Sequence, residues 1–160
     1  MNQLNRREFL AAVATAAALC SVCGGADLFA DTPSTQPSTG STVVAIGQKS
    51  DYAEDGITTT WIKAPSRIIV VRHEGKIYAL TSVCTHRGGM LFERPDKMSL
   101  ECHKHHATFG IEGNVTAPPA KVALMRFGIS VDDSGALSVD KSKKFTQDQW
   151  SDPASFVSVS

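Results

Sequence analysis

Two short pairs, Cys84-Thr85-His86 and Cys102-His103-Lys104-His105, lie fifteen residues apart in the chain. No other feature constrains the fold as strongly. If the four side chains act together, two loops must converge, and a scaffold must hold those loops side by side. Two loops that each offer one thiolate and one imidazole can hold four positions on a metal centre. A zinc finger groups Cys with Cys and His with His at longer spacings, so that form is excluded, but a mixed Cys₂His₂ zinc site is not. A hydrolytic Cys/His pair also fits the residue types, although nothing marks which cysteine would be activated.

The scaffold reads as all-β. The 160 residues, 42% of them hydrophobic, suffice for one domain with a modest core. From Thr42 onward, short apolar runs alternate with turn residues, and no helical periodicity longer than about two turns appears. "TVVAI" at 42–46 and "ITTTW" at 57–61 are expected strands. "RIIVVRHEGKIYALTSV" predicts a hairpin turning near Glu74-Gly75, with Ile77, Ala79 and Thr81 on one face. "MRFGISVDDSGALSV" predicts a second hairpin turning at Asp-Asp-Ser-Gly. Beyond Asp140 the chain is a polar tail, in which Trp150 and Phe156 are expected to pack back on the domain. His73, at a strand end without ligand-type neighbours in sequence, reads as a surface histidine.

The two pairs and their surroundings resemble the Rieske [2Fe-2S] proteins. "CTHRGG" matches the first cluster loop and "CHKHHATF" the second, while "PPAKVALMRF" resembles the proline loop and strand that cover the cluster. The resemblance spans residues 42–140 and implies an antiparallel β-sandwich with a cluster-binding subdomain of two loops. It implies that Cys84 and Cys102 bind the inner iron and His86 and His105 the outer iron of a [2Fe-2S] cluster. The function implied is one-electron transfer, with no catalytic residue of its own. In the family the free nitrogens of the histidine ligands can lose a proton on oxidation, so the potential is expected to fall as pH rises.

Departures from the family pattern carry information. Respiratory-type members tie the loops with two further cysteines, where this chain has Gly89 and Lys104. Their Ser and Tyr hydrogen-bond donors correspond here to Ala107 and Phe109, which donate nothing from their side chains. The resemblance therefore implies a potential in the lower part of the Rieske range, roughly −150 to +300 mV. His103 and His106 stand where the family has Pro and Gly. His106 offers a competing Cys-x-x-x-His spacing, and the pair reads either as tuning charges or as plain exposed loop residues.

The first thirty residues have the form of an export signal. Arg6-Arg7 precede Phe9-Leu10 and an uncharged, alanine-rich run to Ala26, a match to the twin-arginine type. The run is eighteen residues long, at the lower limit for a membrane span, so an uncleaved anchor stays open beside cleavage. Cys20 and Cys23 within it read as small apolar fillers. Residues 31–41 form a Pro/Ser/Thr-rich linker. A periplasmic or extracytoplasmic location follows as an expectation. With sixteen basic and sixteen acidic residues, the chain has no basic surplus for nucleic acid. The partner expected is a redox protein, either a larger oxidoreductase subunit or a cytochrome. An oxygenase with a second, mononuclear iron site of two His and a carboxylate is not expected, because the roughly fifty residues after the second cluster loop contain no His. The alternatives are an anchored subunit of a quinol-oxidising cytochrome bc-type complex and, in a different class, a zinc-stabilised binding module.

Overall fold

The computed structural model describes residues 42–159. The expected export signal with Arg6, Arg7, Cys20 and Cys23, and the linker at 31–41, lie outside the described residues. Among the described residues, eleven strands make up two antiparallel sheets. The larger sheet uses β1 (Val43–Gln48), β2 (Gly56–Thr58), β3 (Ile68–His73), β4 (Lys76–Thr81), β9 (Arg126–Val131), β10 (Ala136–Phe145) and β11 (Val157–Ser158). Its order is β1-β10-β9-β4-β3-β2, and β11 joins β4 beside Ile77. The smaller sheet runs β5 (Leu91–Glu93), β6 (Ser99–Cys102), β7 (Thr108–Gly110) and β8 (Val115–Ala117), and is inserted in sequence between β4 and β9.

The run Ile68-Ile69-Val70-Val71 explains how one strand serves two cores. All four residues are fully buried, and successive side chains of a strand point to opposite faces. Ile68 and Val70, with Ile77 and Ala79 of β4, join a core shared by β1, β9, β10 and β11. Ile69 and Val71, with Tyr78 and Leu80, pack instead against Leu91, Leu100 and Phe109 of the small sheet. Each such side chain gains roughly 1.5–3 kcal/mol on full burial. Continuous apolar sequence thus marks a strand covered on both faces. Ile77 and Ala79 share a face as expected, and Thr81 is buried too.

Both hairpins form. Glu74 and Gly75 take φ of 49° and 72°, the doubly left-handed turn that matches strand twist. In the second, the Asp132 carboxylate accepts hydrogen bonds from Ser134 N, Ser134 Oγ and Ala136 N at 2.9, 2.6 and 3.0 Å. Two expectations change. The strand at 57–61 is shorter, because the chain turns after Thr58 and Ile62 N donates to Thr59 O. The polar tail is also built into the sheet: β10 runs through Asp140 to Phe145, and β11 pairs with β4. Trp150 and Phe156 do pack back. The Trp150 ring lies 4.2 Å from the Arg126 guanidinium, and Phe156 packs against the core facing the small sheet.

Candidate metal centre

The small sheet exists to carry two loops. The first, 83–90, leaves β4 and is closed at its base by a bridge between Val83 and Met90. The second, 103–107, is the turn between β6 and β7, closed by Cys102 N donating to Ala107 O at 2.9 Å. Because Leu91 pairs with Cys102 in the β5–β6 register, the two loops emerge beside each other at one end of the sheet. The third segment there, 117–125, is fixed by the Thr85 hydroxyl, which donates to Val122 O at 2.6 Å. Its Ala120 and Leu124 pack in the same core as Cys84 and Cys102.

The four residues singled out by spacing come together as two pairs, thiol with thiol and imidazole with imidazole. Cys84 and Cys102 are free, buried at 2% and 1% exposure, and sit at the floor of the site. The His86 and His105 rings meet edge to face, their centroids 4.9 Å apart. His105 is exposed and His86 half-buried, so the thiols form an inner pair and the imidazoles an outer pair. His86 Nδ1 is buried with no hydrogen-bond partner. A buried polar atom left unpaired is costly unless something fills its lone pair.

Electrostatics agree with a metal-binding reading of this donor set. Burial pushes the Cys84 thiol above its ordinary value, and the adjacent Cys102 sulfur adds to the rise. Two neighbouring thiolates in an apolar floor would require cationic compensation, which a bound metal would supply. Loss of solvation lowers the His105 pKa, and His86, Arg87, Lys104 and His103 lower it further. The neutral imidazole so favoured is the form that ligates metal. Among the described residues, no three His, Cys, Asp or Glu side chains converge as a single-ion site requires.

Gly89 shows how closely the backbone approaches. A Cβ placed there would stand 2.6 Å from Cys102 Sγ and 3.3 Å from Lys104 Cβ. The stem of Lys104 thus closes over Gly89, at the two positions where the resemblance would place a disulfide. Ala107 and Phe109 are both fully buried, their apolar side chains part of the site's floor.

His103 and His106 are exposed, as plain loop residues would be, yet both have defined partners. His103 N and Nδ1 reach Met90 O at 3.2 and 2.9 Å, so this residue ties the second loop to the first. Since a carbonyl only accepts, Nδ1 carries the proton. His106 takes φ of 57° and places Nδ1 2.6 Å from Glu101 Oε1. Spacing alone could not reveal either link, because each partner is set by strand register. His73 lies outside the site and differs from the sequence expectation. It is half-buried, 3.7 Å from Asp55 and 3.8 Å from Glu74, because Gly56 pairs with Arg72 and brings Asp55 alongside.

The model of the Rieske [2Fe-2S] domain family matches residues 42–128. Among characterised proteins, the chain is 28% identical to the ferredoxin component of the alkene monooxygenase system of Xanthobacter autotrophicus, covering 52% of this chain and 70% of that protein. It is 24% identical to the cytochrome b6-f complex iron-sulfur subunit of Chlorobaculum tepidum, covering 56% of this chain and 49% of that subunit. The match thus spans about half the length of the latter. Among solved structures, it resembles a plasma membrane Rieske protein of Synechocystis PCC 6803, with 25% identity, a TM-score of 0.47, and coverage of 60% and 97% of the two chains.

Proposed function

The chain belongs to the Rieske [2Fe-2S] domain family, and we propose that it transfers single electrons through a [2Fe-2S] cluster held by Cys84, Cys102, His86 and His105. The observation that carries the assignment is the arrangement of the four side chains. Two buried free thiols and two imidazoles in edge contact stand on loops that strand pairing forces together. The buried, unpartnered Nδ1 of His86 favours the same set, and the engagement of His106 with Glu101 favours His105 as the fourth member. When bound, the cluster accepts and releases one electron.

The chain's own residues do the rest. Leu91, Leu100, Phe109 and Leu124 exclude water from the thiol side, so both sulfurs sit in an apolar floor. The imidazoles occupy the solvent edge, where an electron partner can approach. Ala107 and Phe109 offer no side-chain hydrogen bond to sulfur, which leaves the reduced state less stabilised and places the potential low in the family range.

We read the protein as an exported carrier or small subunit of a redox complex. Arg6-Arg7 and the run to Ala26 would direct it by the twin-arginine route to an extracytoplasmic compartment. Its physiological partner would be a larger oxidoreductase subunit or a cytochrome. The likeness to a cytochrome b6-f subunit favours a second reading, an anchored subunit of a quinol-oxidising complex. Ala107 and Phe109 weigh against it, since such oxidation favours a higher-potential cluster.

The test is EPR of the purified, dithionite-reduced full chain. A rhombic signal with average g below that of an all-cysteine cluster is expected, and should be lost in Cys84→Ser and His105→Ala. A colourless, EPR-silent protein containing stoichiometric zinc would overturn the proposal.

A further inference from the structure

The chain is electrically neutral, but its charges are not evenly placed. Three segments build the exposed end around His86 and His105: 83–90, 102–107 and 117–125. They contain Arg87, Lys104 and Lys121 but none of the sixteen acidic residues of the chain. All three cations are solvent-exposed. The nearest carboxylate in sequence, Glu101, is already engaged by His106 at 2.6 Å and by Arg94 at 3.6 Å. The base of the Lys104 stem packs against Gly89, so its side chain leaves from between the two loops. Two large apolar side chains share this end, Val122 at 63% exposure and Met90 at 45%.

From this placement we infer that the histidine end of the protein is a basic docking face, built to receive a redox protein whose electron-exchange surface is acidic. The inference rests on the cluster assignment above and adds the chemistry of the partner. A cationic rim of this kind raises encounter rates with anionic surfaces and discourages cationic ones. Val122 and Met90 supply the small apolar contact at which such a complex closes. Nothing in the net charge would foretell it. Removal of residues 1–30 takes away Arg6, Arg7, Glu8 and Asp27, which cancel.

Small redox probes read this local charge directly. The full chain, reduced and desalted, is mixed in stopped flow with one of two one-electron oxidants, anionic hexacyanoferrate(III) or cationic tris(phenanthroline)cobalt(III). In each case the protein loses one electron and the complex gains it. The hexacyanoferrate rate should fall roughly three- to tenfold as sodium chloride rises from low to physiological strength and beyond. The cobalt rate should stay flat or rise. The variant R87E/K104E/K121E should reverse both trends while keeping the EPR spectrum. K97E, in the turn at the opposite end of β5 and β6, should leave both unchanged. Salt-independent rates with both probes, or trends that survive the triple reversal, would overturn the basic face. Absence of the rhombic EPR signal would instead refute the cluster assignment, so the two failures are distinguishable. Should the triple variant fail to fold, K121E alone decides, since its site lies outside both ligand loops: an unchanged salt slope counts against the inference.

Discussion

His106 Nδ1 lies 2.6 Å from Glu101 Oε1, in a residue held at φ of 57°. A left-handed backbone at a non-glycine residue costs about 1–2 kcal/mol. The contact with Glu101, partly exposed, returns about 1 kcal/mol or less. Together with His103 on Met90 O, it pins the second loop where no disulfide does so.

Glu101→Gln and His103→Ala should therefore loosen the loops without unfolding the protein. Each is expected to speed loss of visible absorbance to an iron chelator several-fold, with the melting temperature of the remaining fold changed little. His106→Gly removes strain and anchor together, so its release rate should lie nearer the unsubstituted protein. A release rate unaffected by either anchor substitution would show that the histidines do not hold the loops.

Ala107→Ser tests the low potential. Ala107 is fully buried in the floor of the site, and a serine there adds one donor within the second loop. A net hydrogen bond of about 1 kcal/mol corresponds to roughly 40 mV for a one-electron couple. Potentiometric EPR titration should show a rise of that order, and a fall would contradict the assigned role of this position.

Arg126 binds the C-terminal segment to the main sheet. It is almost fully buried between the rings of Tyr78 and Trp150, 3.9 and 4.2 Å from its guanidinium, with Nη2 3.3 Å from Glu112 O. Burial lowers its pKa, and Tyr78 and Glu112 oppose that. Arg126→Ala loses the stacking and leaves a cavity, and should cost about 3 kcal/mol. Arg126→Met keeps much of the volume and removes a desolvated charge, so about 1 kcal/mol is expected. Denaturant unfolding separates the two; equal losses would assign the stabilisation to charge rather than packing.

Acid weakens the second hairpin. The Ser134 hydroxyl, then the Ala136 N–H, hold the Asp132 carboxyl below its ordinary value of 3.8. A depressed folded pKa contributes stability above the unfolded value, and that contribution is lost as pH falls through the folded value. The melting-temperature advantage of the unsubstituted chain over Asp132→Asn should be constant near neutrality and shrink below about pH 4. A difference that persists unchanged at pH 3 would rule out the carboxylate as its source.

Much of this protein was legible in its sequence because its determinants are local. The β-branched run Ile68–Val71, the Glu74-Gly75 and Asp132–Gly135 turns, and the Cys84, His86, Cys102 and His105 spacing each specify geometry over a few residues. Tertiary structure decided what depends on register. Only the pairing of Leu91 with Cys102 brings the loops side by side, and only folding puts Met90 O within reach of His103. The same holds for Asp55 beside His73 and for Trp150 on Arg126, partners 18 and 24 residues away in sequence. Such contacts form between groups that no periodicity relates, since strand order and loop closure place them. The residue pattern thus determined an all-β scaffold and its four metal-binding candidates. The fold decided how two loops without a disulfide are held together, and that three scattered cations share one face.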